Sequence, residues 1–376
     1  MRDPIASRQP FAALAALVML ASSLSGCVPE RSAETPVAKP AQARALIDAS
    51  LPQRLADRAG WAADLLSGFN ALGIEPNRDT VCAVVAVIEQ ESGFRVDPLI
   101  PDLGAIAWRE IDARADRALL PRAIVHGVLK LQSSTGSSYG ERIDRARTER
   151  ELSDIYEDFI AAVPLGRTLF AESNPIRTRG PMQVNIAFAE QFAAVKPYPY
   201  AVKTSIADEV FTRRGSLYFG IAHLLDYSAP YDRYLYRFAD YNAGQYASRN
   251  AAFQGAVARL SGLPLVRDGA LLAHGSDARN PGDTETALRT LSRRLNLTDS
   301  AIRAALDQAR TTEFERTPLY LRVFAAADAA AGRRTARAEL PQIALHSPKI
   351  TRKLTTAWYA NRVDQRFRRC LGETNQ

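Results

Sequence analysis

Val81-Cys82-Ala83-Val84-Val85-Ala86-Val87-Ile88-Glu89-Gln90-Glu91-Ser92-Gly93-Phe94 is the stretch whose reading decides the fold. Its β-branched run is compatible with a buried strand, but it is long for one. Asp79 or Thr80 ahead of it and Gly93 behind it are helix start and stop signals. The stretch is therefore read as a helix that runs to Glu91. At about 100° per residue, Val84, Val87 and Ile88 share the side of Glu91, so its carboxyl looks into apolar surroundings. It also lies in the last turn, where the partial negative charge of the helix end disfavours an anion. Both effects raise a carboxyl pKa, the condition a general acid needs near neutral pH. On local sequence alone, a solvent-exposed Glu at a fraying helix end is equally open. Glu89 lies about 200° around the helix from Glu91 and reads as a surface residue.

Two further motifs follow in order, Gly180-Pro181-Met182-Gln183-Val184-Asn185 and Ala239-Asp240-Tyr241-Asn242-Ala243-Gly244. With the Glu91 motif they resemble the soluble lytic transglycosylases, lysozyme-like enzymes that cut the glycan strands of bacterial peptidoglycan. Gly180 to Gln183 is similar to that family's Gly-Leu-Met-Gln with Pro181 as a variant, and Tyr241 to Gly244 matches its counterpart without change. Gly220-Ile221-Ala222-His223-Leu224-Leu225 resembles a family helix in which Tyr stands where His223 does. The recognisable coverage is about Val81 to Phe94 and Arg179 to Gly262. The chain as a whole resembles a domain-of-unknown-function family of lipoproteins related to these enzymes.

The resemblance implies an all-α, lysozyme-like core. It implies Glu91 as catalytic acid and base, with Ser92, Met182, Gln183, Tyr241 and Asn242 on the substrate. Met182 would pack beneath a sugar, Gln183 would offer its amide, and Tyr241 would direct its hydroxyl toward Glu91 or the acetamido group. Asn242 would support the local turn or bind sugar. Without the resemblance, Gly-Pro is a turn and Met182 a core residue. Most glycosidases use two carboxylates, but substrate-assisted exceptions exist. Asp240 is the one nearby acid that could imitate a second, and neighbouring residues on one element point in different directions. The implied reaction needs only Glu91. It protonates the oxygen leaving N-acetylmuramic acid, the substrate's acetamido group stabilises the cationic centre, and Glu91 then takes the proton of the 6-hydroxyl to close a 1,6-anhydro ring.

The first residues address the chain to an envelope. Arg2 and Arg8 flank a charged start, and Phe11 to Ser22 is an apolar run well short of the roughly 20 residues a membrane span needs. Leu24-Ser25-Gly26-Cys27 looks like a bacterial lipobox, so residues 1–26 are expected to be a signal peptide and Cys27 the lipidated first residue. An ordinary signal peptide with Cys27 incidental is the other reading. Residue 28 is Val and not Asp, and the resemblance to sorted lipoproteins then implies the outer membrane, facing the periplasm. Residues 27–43 are Pro-rich, poor in large apolar groups, and read as a flexible tether.

Residues 44–262 are expected to form the catalytic domain, carrying a long insertion at 95–178. Ala45 to Phe69, Ile111 to Leu131 and Glu141 to Phe159 have helical periodicity, and Ser133 to Ser138 is a polar loop. The insertion is open to reading as a lid, a product gate, a specificity wall or a decoration. Residues 263–376 read as a helical extension packed on the catalytic core and not as an independent enzyme, with helices around Thr284 to Leu295, Asp299 to Ala309 and Tyr320 to Ala330, and a last helix starting at Ser347-Pro348.

Of 48 basic and 41 acidic residues, 46 and 40 remain after residue 26, a modest positive balance that suits the carboxylates of peptidoglycan. The basic residues are spread along helices with no nucleic-acid motif, so no nucleic-acid partner is expected. His126, His223, His274 and His346 show no zinc spacing, and there is no phosphate-binding glycine loop, so neither metal nor cofactor is expected. His223 is assigned no catalytic role. Cys82 lies about 180° from Glu91 on its helix. An oxidising compartment allows a Cys82 to Cys370 bridge, and two separate buried thiols remain the alternative. Besides the lytic reading, a hydrolytic muramidase on the same fold and a non-catalytic wall-binding lipoprotein stay open.

Overall fold

The computed structural model describes residues 40–163, 174, 176–229, 231–345 and 354–372. The signal segment, Cys27 and most of the tether therefore lie outside the described residues. Among the described residues the chain is predominantly helical, with two short antiparallel ribbons, Thr178–Arg179 with Val184–Asn185 and Ala344–Leu345 with Leu354–Thr355. No described helix is long and apolar enough to cross a membrane.

The deciding stretch is the helix Arg78–Glu91, and Val81 through Ile88 are all buried in it. It begins earlier than Asp79 or Thr80 would set it, because Asn77 is the cap. The Asn77 side chain accepts from the Thr80 amide at 2.9 Å, and the Asn77 amide donates to Thr80 Oγ1 at 3.0 Å. The helix stops where Gly93 and Phe94 take successive left-handed conformations, φ 58° and 63°. Phe94 is held there by its ring lying edge-on to Trp61 at 5.3 Å. The expected Ala45 to Phe69 helix is two, Pro40–Ser50 and Arg58–Leu72, since Pro52 falls between them and Asp57 caps the second.

Around the Glu91 helix pack Arg58–Leu72, Arg213–Leu225, Tyr234–Ala243 and the C-terminal helix Thr356–Cys370. That last member belongs to residues 263–376, the extension expected to pack on the catalytic core. The disulfide Cys82–Cys370 ties the end of the chain to the back of the Glu91 helix, and Tyr359, Ala360, Val363 and Phe367 are buried in the same core. Residues Ala38–Gln376 form one compact unit. The start of this helix is corrected. Thr355 caps it by accepting from the Trp358 amide, and the residues just ahead form a β ribbon. Ser347 and Pro348 lie outside the described residues.

The insertion builds its own small core from Leu103, Leu129, Tyr139, Ile143 and Ile155, on the helices Leu103–Arg117, Arg122–Val128, Tyr139–Arg145 and Glu149–Ala162. The expected continuous helix through Leu131 breaks at Leu119 to Pro121, where proline lacks the amide a helix interior requires. The third core lies under Ala247–Ser261, Asp283–Thr290, Asp299–Leu306 and Pro318–Ala331, with Phe253, Leu288, Ile302, Phe314 and Val323 at its centre. Buried Arg249 keys the chain to it, donating to the carbonyls of Thr311 at 2.8 Å and Ala309 at 2.5 Å while its guanidinium stacks on Tyr246.

Candidate functional site

Glu91 is the last residue of its helix, and its carboxyl opens onto a cleft of about 1840 Å³. The Tyr359 hydroxyl donates to Glu91 Oε1 at 2.5 Å. Burial raises the Glu91 pKa from the ordinary 4.5 to about 7; the Tyr359 hydrogen bond opposes that rise and the negative charge of Glu149 adds to it. A carboxyl poised there holds its proton near neutrality and can still release it.

The second motif forms the wall beside it. Gly180 sits at φ 72°, and a Cβ there would lie 2.2 Å from the Val210 carbonyl oxygen, so only glycine fits. Gln183 lines the cleft with its amide fixed at both ends. Thr178 Oγ1 donates to Oε1 at 3.0 Å, while Nε2 donates to Glu149 Oε2 at 3.2 Å. Glu149 is a buried residue at the first position of the helix Glu149–Ala162, where the positive helix end favours an anion. Met182 departs from the expected role. It is fully buried with its thioether against Gly220, where an added Cβ would meet the sulfur at 2.3 Å, and so it supports the wall from behind and does not line the cleft.

Tyr241 and Asn242 both line the cleft. The Tyr241 hydroxyl, expected to point toward Glu91 or the substrate acetamido group, donates to the Met182 carbonyl at 2.7 Å and pins the second motif to the third. Tyr359 takes the place expected of it. Asn242 Oδ1 accepts from Thr356 Oγ1 at 2.8 Å, a second link from the C-terminal helix to the site. Ser92 is buried, its hydroxyl donating to the Ile88 carbonyl at 3.2 Å as the helix ends, and it does not line the cleft. Of the expected substrate residues, the structure thus brings Gln183, Tyr241 and Asn242 to the cleft with Glu91 and leaves Ser92 and Met182 behind it.

Asp240 faces away. Fully buried, it accepts from the hydroxyls of Tyr227 and Tyr231 and from the amides of Tyr246 and Ser248, the last two at 2.9 and 2.6 Å. It organises the turn after the third motif. His223 lines the cleft between Phe188 and Tyr241, and burial pushes its pKa down to about 4, so it is a neutral packing group there. Glu89 pairs with Arg369 at 2.7 Å on the opposite side of the helix from the cleft.

Sequence reasoning missed Tyr359 and Glu149. Tyr359 carried a usable signal. Nine residues separate Cys82 from Glu91 and eleven separate Tyr359 from Cys370, about 13.5 and 16.5 Å of helix rise, so a bridge between antiparallel helices brings Tyr359 level with Glu91. For Glu149 no sequence signal existed, because it reaches the site through the tertiary placement of the insertion. Across the cleft, the far wall comes from the C-terminal half, with Leu271, Arg310 and Ile343 among its residues. Thr178 apart, no described residue of the insertion lines the cleft. Its polar loop is tied down, with the Ser133 amide donating to the Ser137 carbonyl and Ser134 Oγ to Asp158. Among the described residues no group of three or more His, Cys, Asp or Glu is placed to hold a metal ion.

Residues 54–373 match the model of the family described as "Protein of unknown function (DUF1615)". The chain is 47% identical over 365 residues to a protein of Escherichia coli (strain K12) described as "Uncharacterized protein YaiW", covering 96% of this chain and 98% of that one. No solved structure matches it. With both matches running through the Glu91 helix, the insertion and the C-terminal helix, the chain belongs to the DUF1615 family.

Proposed function

We propose that this protein is a lysozyme-like lytic transglycosylase, which cleaves the β-1,4 bond between N-acetylmuramic acid and N-acetylglucosamine and leaves 1,6-anhydro ends. The observation that carries the reading is Glu91, a carboxyl in apolar surroundings at a cleft, with a pKa of about 7 and a tyrosine hydroxyl fixing one oxygen. A single group of this kind can both give and take a proton within one cycle, because its pKa lies near the working pH. Protonated Glu91 gives its proton to the leaving oxygen. As it becomes an anion, the Tyr359 hydrogen bond stabilises the charge and holds the carboxylate for the return step. The substrate's acetamido group stabilises the cationic carbon, and Glu91 removes the 6-hydroxyl proton as the ring closes. Asn242 presents its amide nitrogen along the wall to the sugars, while Gln183, held by Thr178 and Glu149, shapes the wall itself. The proposed location is the periplasmic face of the outer membrane, held by lipid on Cys27, where peptidoglycan strands are the partner.

Hydrolysis by a muramidase is the second reading; Glu149 is a second carboxyl whose charge acts on Glu91, but it bonds Gln183 and does not line the cleft. Asp240 does not serve that reading, since its oxygens are consumed inside the fold. Digestion of purified peptidoglycan followed by mass spectrometry separates the outcomes. Anhydro-muropeptides support the lytic reading, reducing ends the hydrolytic one, and an absence of products a wall-binding role.

A further inference from the structure

The far wall of the cleft carries two arginines, Arg303 and Arg310, and they differ in what they meet. Arg303 is consumed inside the protein. It donates to the fully buried Glu285 at 2.8 Å and to the Ser276 carbonyl at 2.9 Å, and its Nε lies 3.8 Å from Asp307. Arg289 also pairs with Glu285, so two cations and two carboxylates close a neutral group. Asp268, the other acid of that wall, accepts from the Gln254 side-chain amide and the Ala270 N–H, both at 2.9 Å. Arg310 is exposed, and among the described residues its guanidinium meets neither a carboxylate nor another hydrogen-bond acceptor.

The mounting of Arg310 is rigid. Buried Arg249 donates to the carbonyls on either side of it, Ala309 and Thr311, and the Asn250 side-chain amide donates to the Ala309 carbonyl at 3.0 Å. An unpaired cation is thus displayed on backbone that the core holds still, and a group held that way loses little freedom on binding. The cleft, at about 1840 Å³, exceeds the roughly 300–1,000 Å³ of a small-molecule cavity and has room for a strand with its substituents. A ligand that fills it displaces water from Arg310, which is costly unless the ligand brings an acceptor.

We propose, resting on the reading of the cleft as a peptidoglycan site, that Arg310 binds a carboxylate substituent of the glycan strand. The sugar backbone of peptidoglycan is uncharged. Its carboxylates sit on the peptides joined to the lactyl ether of N-acetylmuramic acid, or on the lactyl group itself where the peptide has been removed. Either is a planar acceptor that the guanidinium fork engages with two N–H bonds. Arg310 thereby favours muramic-acid strands over a neutral β-1,4 polymer of N-acetylglucosamine.

The test measures equilibrium binding in a Glu91→Gln background, so that the ligand is not consumed. Three soluble oligomers of equal length are compared: peptide-bearing glycan, the same glycan stripped of peptide by an amidase, and a neutral N-acetylglucosamine oligomer. Adding Arg310→Gln is expected to weaken binding of at least one carboxylate-bearing oligomer about tenfold or more and to leave the neutral one unchanged, with an unchanged thermal melt. Which oligomer suffers the loss tells whether the peptide or the lactyl carboxylate is the partner. Arg310→Lys should keep part of the affinity, since the charge stays and the fork is lost. Unchanged affinities for all three oligomers, an equal loss that includes the neutral one, or no binding by the parent overturns the proposal. The lytic reading fails separately. Carboxylate-dependent binding by a protein that, with Glu91 intact, releases no anhydro products would sink that reading and keep Arg310 in its role, while anhydro products alongside unchanged binding in Arg310→Gln would do the reverse.

Discussion

Tyr359 and Glu91 meet at 2.5 Å across 268 positions of sequence, so the end of the chain completes the site that its first third begins. The hydroxyl favours the carboxylate form of Glu91 against the burial that opposes it. Tyr359→Phe keeps the ring in the core and removes that hydrogen bond. The Glu91 pKa should then rise, moving the alkaline limb of the pH-rate profile to higher pH. The rate at neutral pH should fall about tenfold, because the carboxyl loses its fixed orientation. An unchanged limb, measured on peptidoglycan turnover, would take Tyr359 out of the account.

Glu149→Gln should move the same limb the other way. The Glu149 charge raises the Glu91 pKa, and a neutral amide at that position removes it. Opposite displacements in the two variants are the expected signature. Two displacements of the same sign would mean that general loosening of the site, and not local charge, sets the profile.

Burial of Glu91 also has a stability consequence. With a folded pKa raised from 4.5 to about 7, the folded protein keeps a proton that the unfolded chain releases. The stability linked to that proton is complete below the unfolded value and is lost as pH rises through about 7. Glu91→Gln carries no charge to bury. It should match the wild type near pH 4 and exceed it by about 1–3 kcal/mol near pH 9, read from urea unfolding at the two pH values.

The pattern of apolar residues made the Glu91 helix and the predominantly helical class legible, because a buried helix must repeat its hydrophobic side chains every three to four positions. The motifs marked Gln183, Tyr241 and Asn242 as cleft residues. What they concealed was direction. Met182 and the Tyr241 hydroxyl turn inward, since Gly220 leaves room for the thioether and the Met182 carbonyl offers an acceptor. The helix ends were missed where side chains decided them, at Asn77 and Thr355. The Cys82 to Cys370 bridge was open to sequence reading, but the contacts that Thr356 and Tyr359 make with Asn242 and Glu91 are long-range and leave no local pattern.

The Cys82–Cys370 bond spans 288 residues and anchors the helix that carries Tyr359. Reduction, or Cys370→Ser, should destabilise the fold by about 2–5 kcal/mol. It should also depress turnover in protein that is still folded, as Tyr359 loses its station. Paired melts and assays with and without reductant decide this. Destabilisation with full activity would show that core packing alone holds the C-terminal helix against Glu91.

The most direct measurement is the mass spectrum of muropeptides released from purified peptidoglycan by the wild type and by Glu91→Gln. The account predicts 1,6-anhydro ends from the wild type and a rate lower by at least about 100-fold from a folded Glu91→Gln, which keeps the shape of the acid but has no proton to exchange. Anhydro products from Glu91→Gln at the wild-type rate would contradict it.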